Sequence, residues 1–313
     1  MKQNNQTSIT EFILLGFSVS SETGFFLFAL ISIVYVVTIV SNIFIIVLVI
    51  TERRLHKPMY IFISGLSFLE LWYPSVTVPK LLSSLLNRDR SISPGACVSQ
   101  FYFHFACGAT ENFLLAVMAY DRYVAICHPL QYVVIISPQI SMKLLVGCWV
   151  IGFILFLAPC FQISNLLFCT HNEINHYYCD FAPIVRLSCS DTSRAKRVFS
   201  GVTSFIILGC FLPIIVSYIC IIRTVITFPT SSGRQKAFST CASHLIVVLI
   251  FYSTIMFMFV RSNAGDNPHF EKIISVFPSI VTSFLNPIIY TLRNQEVKVT
   301  VIKLFRDYGF RNK

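Results

Sequence analysis

Charge is what this chain has least of. Asp, Glu, Lys and Arg make up 12% of its 313 residues, about half the share of an average soluble domain, while 55% of the residues are hydrophobic. A soluble fold of this length has no use for so much apolar surface, so the soluble classes are excluded. The alternating apolar and polar strands of a membrane barrel are also missing, and lipid then leaves only helices. No charged-then-apolar leader opens the chain: the first 23 residues are polar, and the first span is expected to insert as its own signal. No nucleophile motif or metal-ligand cluster surrounds the acidic residues within the apolar runs, which argues against an enzyme. The lack of an internal inverted repeat argues against a transporter.

What is present is a series of long apolar runs, at about 25–50, 59–82, 97–126, 141–161, 198–226, 240–260 and 270–292, each long enough to cross a bilayer. The expected fold class is an all-α membrane protein, a seven-transmembrane helix bundle over 24–292. A tail of 1–23 precedes it, a long loop of 162–197 interrupts it, and a segment of 293–313 follows with a short amphipathic helix. With seven spans, one side holds fourteen basic against four acidic residues and the other ten against eight. The more basic side is cytoplasmic, which puts the N-terminus and the 162–197 loop outside and the C-terminus inside. The formal charge of +10 therefore marks a face lying against anionic lipid, not a nucleic-acid footprint. Asn5-Gln6-Thr7 is the sole glycosylation sequon and falls in the outer tail.

Eleven cysteines divide by this topology. Cys97, Cys169, Cys179 and Cys189 face the oxidising side, where four cysteines permit three pairings and the spacing does not choose among them. A disulfide from Cys97 would pin the long loop over the mouth of the bundle. The remaining seven cysteines read as small buried apolar residues.

Three polar features interrupt the apolar runs. Glu70 and Glu111 each lie in mid-span, where an isolated charge costs several kcal/mol, so the pair should share a proton or hold a cation such as Na+, with Asn42, Ser67 and Asn286 nearby. Paired acids of this kind also mark proton and cation pathways, so a transporter or channel is the alternative reading. Asp121-Arg122 ends the third run at the membrane edge. In the last run, Asn286-Pro287 precedes Tyr290, and the proline bends the helix where it could take two shapes.

Asp121-Arg122-Tyr123, Asn286-Pro287 with Tyr290, Asn42, and Cys97 with a long outer loop resemble rhodopsin-like G-protein-coupled receptors. More narrowly, four stretches look like vertebrate olfactory receptors: Leu55-His56-Lys57-Pro58-Met59-Tyr60, the run from Met118 to Cys127, Ser217-Tyr218, and the run from Lys236 to Leu245. The opening Thr10 to Phe17 follows the same pattern. Ser41-Asn42 departs from the usual Gly-Asn, and Phe251-Tyr252-Ser253 replaces the tryptophan toggle of other rhodopsin-like receptors in an olfactory-like way.

The resemblance implies an odorant receptor in the plasma membrane of olfactory cilia, activated by a small volatile ligand. It also implies a stimulatory, cAMP-raising G protein as partner and receptor-transporting chaperones for delivery. It implies Cys97–Cys179 and Cys169–Cys189 pairing, a Na+ site at Glu70 and Glu111, and no other cofactor. Arg122 would be the switch, restrained by Asp121 and released toward Tyr218, with His244 and Tyr290 lining the same crevice. Ligand would sit between the third, fifth, sixth and seventh spans. The candidate contacts are His104, Cys107 and Gly108, then Val202, Thr203, Ile206 and Ile207, then Tyr252, Ile255, Met256 and Phe259, then Val276 and Ser279. With no acid expected among them, such a lining suits a neutral ligand better than an amine.

Overall fold

The computed structural model describes residues 9–86, 90–169, 171–262, 268–293 and 295–311. The Asn5 sequon lies outside these, as does the side chain of Phe259. Among the described residues there are eleven α-helices: α1 Ser21–Thr51, α2 Pro58–Leu86, α3 Pro94–Cys127, α4 Tyr132–Ile135, α5 Pro138–Ser164, α6 Phe181–Leu187, α7 Ser193–Ile226, α8 Ser231–Ser262, α9 Pro268–Val276, α10 Thr282–Arg293 and α11 Gln295–Arg311. Their starts follow capping chemistry. Ser20, Ser93 and Ser137 accept the N–H of Thr23, Ala96 and Ile140 at 3.3 Å, and Pro94 and Pro138 take the first helical turn, where no N–H is missed.

Five helical segments are long and apolar enough to cross a membrane: α1, α2, α5, α7 and the stretch Phe270–Thr291 through α9 and α10. The other two expected spans lie in α8 and α3. In α8 the described side chains include the apolar stretch Cys241–Phe257. In α3 the neighbours are α2, α5, α7 and α8 rather than lipid, so it can bury Gln100, His104, Glu111, Asn112, Asp121 and Arg122. The outward faces of α1, α5 and α7 are apolar, with Phe26, Ile33, Ile154, Phe161, Phe205 and Leu212 exposed. That exposure is the normal surface of a helix bathed in lipid and not a docking patch.

Prolines sit inside α2, α5, α7 and α10. A single π turn, Phe277–Val281, joins α9 to α10, and Thr282 donates back to the Phe277 carbonyl at 3.0 Å. Such back-bonding re-satisfies carbonyls that a proline or a widened turn leaves free. Close helix approach needs glycine at one crossing, where a Cβ on Gly152 of α5 would lie 2.9 Å from the Thr110 backbone nitrogen of α3.

One end of the bundle is roofed. The strands β1 (Phe12–Leu14), β2 (Ser91–Ile92) and β3 (Glu173–Ile174) form a sheet of order β2-β1-β3, antiparallel then parallel. Residues 12–14, within the segment expected to be a polar tail, are thus stitched into the roof. Phe12 and Leu14 point inward onto Phe101, Ile174 and the Cys97–Cys179 disulfide, alternating with Ile13 as a half-buried strand requires. Gly16 then turns the chain with φ of 59°, a left-handed conformation that favours glycine. This turn aims its carbonyl at the buried Lys272 Nζ, 2.8 Å away on α9.

Candidate functional site

Beneath the roof lies a partly open, mainly apolar cavity of about 280 Å³. Its α3 wall is His104, Phe105, Gly108, Ala109 and Asn112, the i, i+4, i+8 stripe of one helical face with its neighbours. Thr203, Ile206 and Ile207 come from α7, Ile255 and Phe251 from α8, and Ser275 and Glu271 from α9. The loop closes the top with Tyr178, Asp180 and Phe181, held there because Cys179 is bonded to Cys97 and its N–H donates to Gln100 Oε1 at 2.9 Å. A second disulfide, Cys169–Cys189, closes the loop on itself.

Of the contacts expected from sequence, His104, Gly108, Thr203, Ile206, Ile207 and Ile255 reach the cavity. Six others face elsewhere. Cys107 is one residue, hence 100°, from Gly108 and packs into the core with Tyr73. Val202 lies against Phe105 and Phe156, outside the cavity. Tyr252 is buried beside Phe211 with ring centroids 4.8 Å apart. Met256 is 46% exposed on the lipid side. Val276 packs on Val78, Leu81 and Tyr177, and Ser279 is buried off the cavity. No acid stands among the expected contacts, but Asp180 and Glu271, outside that set, line the cavity as well. Asp180 could have been found from Cys179 alone, since pinning that cysteine to α3 drags its neighbours over the mouth. Asn112 continues the stripe of 104 and 108, and only the neighbouring Glu111 drew attention away from it.

The electrostatics of the roof follow from burial. Burial raises the Asp180 carboxyl to about 6, and Glu271 nearby pushes the same way, against the Phe181 N–H that donates to Oδ1 at 2.8 Å. Burial, with the Lys272 charge beside it, lowers His176 to about 3, so this loop imidazole is neutral. His176 Nδ1 accepts the Tyr178 N–H at 3.4 Å, and Nε2 lies 3.3 Å from Ser275 Oγ, tying loop to α9. In the cavity wall, by contrast, His104 Nδ1, Asn112 Oδ1 and Thr203 Oγ1 have no partner.

Below the cavity, Glu70 accepts from Ser283 Oγ and from Asn286 Nδ2 at 2.5 Å, so α10 and its Asn286-Pro287 step are tied to α2. Both oxygens of Glu111 are buried and unpartnered. Asn42 is turned away, donating to Thr38 O at 2.9 Å and to Ser283 O at 3.4 Å. Two buried carboxylates, with two oxygens held by donors and two unpartnered, fit a shared proton or a small monovalent cation. Among the described residues no cluster of three or more His, Cys, Asp or Glu could hold a transition metal.

At the far end of α3 every polar atom of the Asp121 carboxylate is used. Arg122 donates through Nε at 2.8 Å and through a second guanidinium N–H to Oδ2, and the Tyr132 hydroxyl of α4 donates to Oδ1 at 2.8 Å. Tyr123 reaches only the exposed His128 ring, at 3.0 Å. Close by, Tyr218 Oη and His244 Nδ1 are 2.7 Å apart and His244 Nε2 lies 3.1 Å from the Leu115 carbonyl, so α3, α7 and α8 meet through one imidazole. Tyr290 is buried here with its hydroxyl unpartnered. Sequence reading missed Tyr132, a residue of an otherwise exposed short helix whose only mark is its reach to Asp121.

The arrangement is a roofed cavity toward one end of α3 and a buried Asp121–Arg122 ion pair toward the other. A family model described as olfactory receptor matches residues 31–308. The chain is 50% identical to human olfactory receptor 6B1, covering 97% of each protein. It is 45% identical to human olfactory receptor 6F1 over 98% of this chain and 99% of that one. Mouse olfactory receptor 5AP2 is 43% identical over 98% and 97%. Matched from end to end by such relatives, this chain belongs to the olfactory receptor family, whose members are G-protein-coupled receptors and not enzymes.

Proposed function

We propose that the chain is a seven-span odorant receptor of the plasma membrane, with the roofed end extracellular, that binds small volatile ligands in the cavity. On this reading ligand shifts a two-state equilibrium toward a form in which Arg122 leaves Asp121 and engages a stimulatory G protein, raising cAMP. The observation that carries the proposal is that α3 lines the roofed cavity with His104, Gly108 and Asn112 and ends in the Asp121–Arg122 pair. On this reading a rearrangement at either end passes through this helix and the partners it touches, α5 and α7 above all. Orientation rests on the excess of basic residues at the Arg122 end and on two disulfides at the other. Cilia, delivery by receptor-transporting chaperones and contact of α11 with the inner leaflet belong to the same reading.

The Glu70–Glu111 pair is proposed to hold one positive charge, supplied by Na+ or by a proton, which the unpartnered oxygens of Glu111 require. Na+ there would offset the two carboxylates and fix α2 against α3, while Ser283 and Asn286 orient Glu70. A transporter or channel reading gains nothing from the family match.

The experiment is cAMP in cells expressing the chain with olfactory chaperones, against a diverse volatile panel and an empty vector. A receptor-dependent rise supports the reading, and ligand-independent ion flux without any cAMP response would replace it with the channel alternative. Identical dose–response curves with and without Na+ would assign the pair to the proton.

A further inference from the structure

The two acids that sequence did not anticipate lie where a ligand would meet them. Asp180, on the loop, and Glu271, on α9, both line the top of the cavity, and neither has a basic partner within salt-bridge distance among the described residues. The nearest candidate on α9, Lys272, is 1% exposed and spends its ammonium on the Gly16 carbonyl. Arg186 of α6 is exposed and acts on Asp180 only at long range. No Lys or Arg is among the residues that line the cavity.

A second observation points to a ligand independently of the acids. Asn112, 4% exposed on the cavity wall, has its amide N–H bonded to the Gly108 carbonyl at 2.8 Å, and its Oδ1 has no partner. His104, 5% exposed on the same stripe, also leaves Nδ1 unpartnered between the rings of Tyr73 and Tyr178, whose centroids lie 5.0 and 4.4 Å away. Buried polar atoms are normally paired, and here Asn112, whose acceptor has no partner, lines one wall of the cavity while Asp180 and Glu271 line its roof. A neutral ligand without a hydrogen-bond donor would strip water from both carboxylates and return nothing to them, and an alcohol would return only a neutral hydrogen bond.

Resting on the receptor reading above, we propose that the preferred ligand class is small organic amines. Their ammonium group would lie under the roof between Asp180 and Glu271, against the Tyr178 and Phe181 rings, with the hydrocarbon body over Ile206, Ile207 and Ile255. The charge satisfies the roof, the aromatic rings favour a cation over a plain hydroxyl, and the apolar body keeps the tolerance for skeleton that a hydrophobic wall confers.

The test is cAMP in cells expressing the full chain with chaperones, with surface delivery measured by antibody. The probes are straight-chain, cyclohexyl and benzyl primary amines, each paired with the alcohol of the same skeleton. Amines are expected to be about tenfold more potent than their alcohols, since a charge-assisted hydrogen bond is worth more than a neutral one. In Glu271→Gln that ratio should fall toward one. Asp180→Asn is the second variant, and because Asp180 also caps α6, Glu271→Gln carries the test if Asp180→Asn fails to reach the surface. Equal potency of amine and alcohol in the wild type, or a ratio unchanged in Glu271→Gln, overturns the inference. A response to other neutral volatiles with none to amines also overturns it while the receptor reading stands. No response to any volatile despite surface staining overturns both.

Discussion

At the roofed end of α3, His104 Nδ1 and Asn112 Oδ1 are buried with nothing to bond, whereas at the opposite end both oxygens of Asp121 are taken by Arg122 and Tyr132. One helix thus holds two opposite treatments of buried polarity. Each unpaired group costs about 1–3 kcal/mol, which a ligand can return when it binds. On the proposed reading the paired groups hold the resting arrangement and are broken on activation. The difference teaches where to expect gain and loss of signal: changes in the cavity should shift ligand potency, and changes at the lock should shift the level of signalling itself.

The largest expected effect is at the lock. Arg122→Ala should abolish ligand-evoked cAMP while surface staining is retained, and unchanged signalling in that variant would remove Arg122 from the mechanism. Tyr132→Phe deletes one hydrogen bond to a carboxylate, worth about 1.5–3 kcal/mol. Ligand-free cAMP should rise about tenfold if the bond restrains the resting state, and a basal level equal to wild type would show that Arg122 alone carries the restraint. At the cavity the effects are smaller. Asn112→Leu should weaken donor-bearing ligands by about five- to tenfold, the value of one neutral hydrogen bond, with maximal response preserved. A drop in the maximum with no shift in potency would place Asn112 in transmission instead.

The smallest effect is one of pH. Asp180, facing Glu271, Tyr178 and Arg186, has its carboxyl raised from 3.8 to about 6, so the folded chain holds this proton more tightly than the unfolded one. Its contribution to stability is therefore greatest at low pH and falls as pH rises through that interval. For an ammonium ligand the dependence is reversed, since binding needs the ionised carboxylate. Amine potency should rise by a few fold between about pH 5.5 and 7.5, where an alkylamine itself stays charged, and dose–response curves in Glu271→Gln and wild type over that range would measure it. His176, lowered to about 3, stays neutral throughout and contributes nothing.

The same contrast explains what could be read from the sequence. Long apolar runs announce helices directly, because lipid demands them, and the α3 stripe of 104 and 108 follows from helical periodicity. The lock is visible for a similar reason, since Asp121 and Arg122 are adjacent in the chain. The roof is not visible in this way. Its sheet joins residue 13 to residue 173, and Asp180 lies near Glu271, which is about ninety residues further along the chain, neighbours that no local pattern encodes. The expected contacts also ran past the cavity: beside Gly108, Thr203 and Ile255 they include Cys107, Val202 and Met256, each one residue away and so turned by 100°, toward core or lipid.

The central claim is that the roofed cavity, and not the lipid-facing surface of the same helices, receives the ligand. Neighbouring positions on α8 test it, since Ile255 lines the cavity and Phe257 is 46% exposed outside it. With a ligand from the amine panel, Ile255→Trp should move the cAMP dose–response curve by at least about tenfold, the cost of overfilling a packed site, while Phe257→Trp should leave it in place. Equal shifts in both, or a shift in Phe257→Trp alone, would contradict the account.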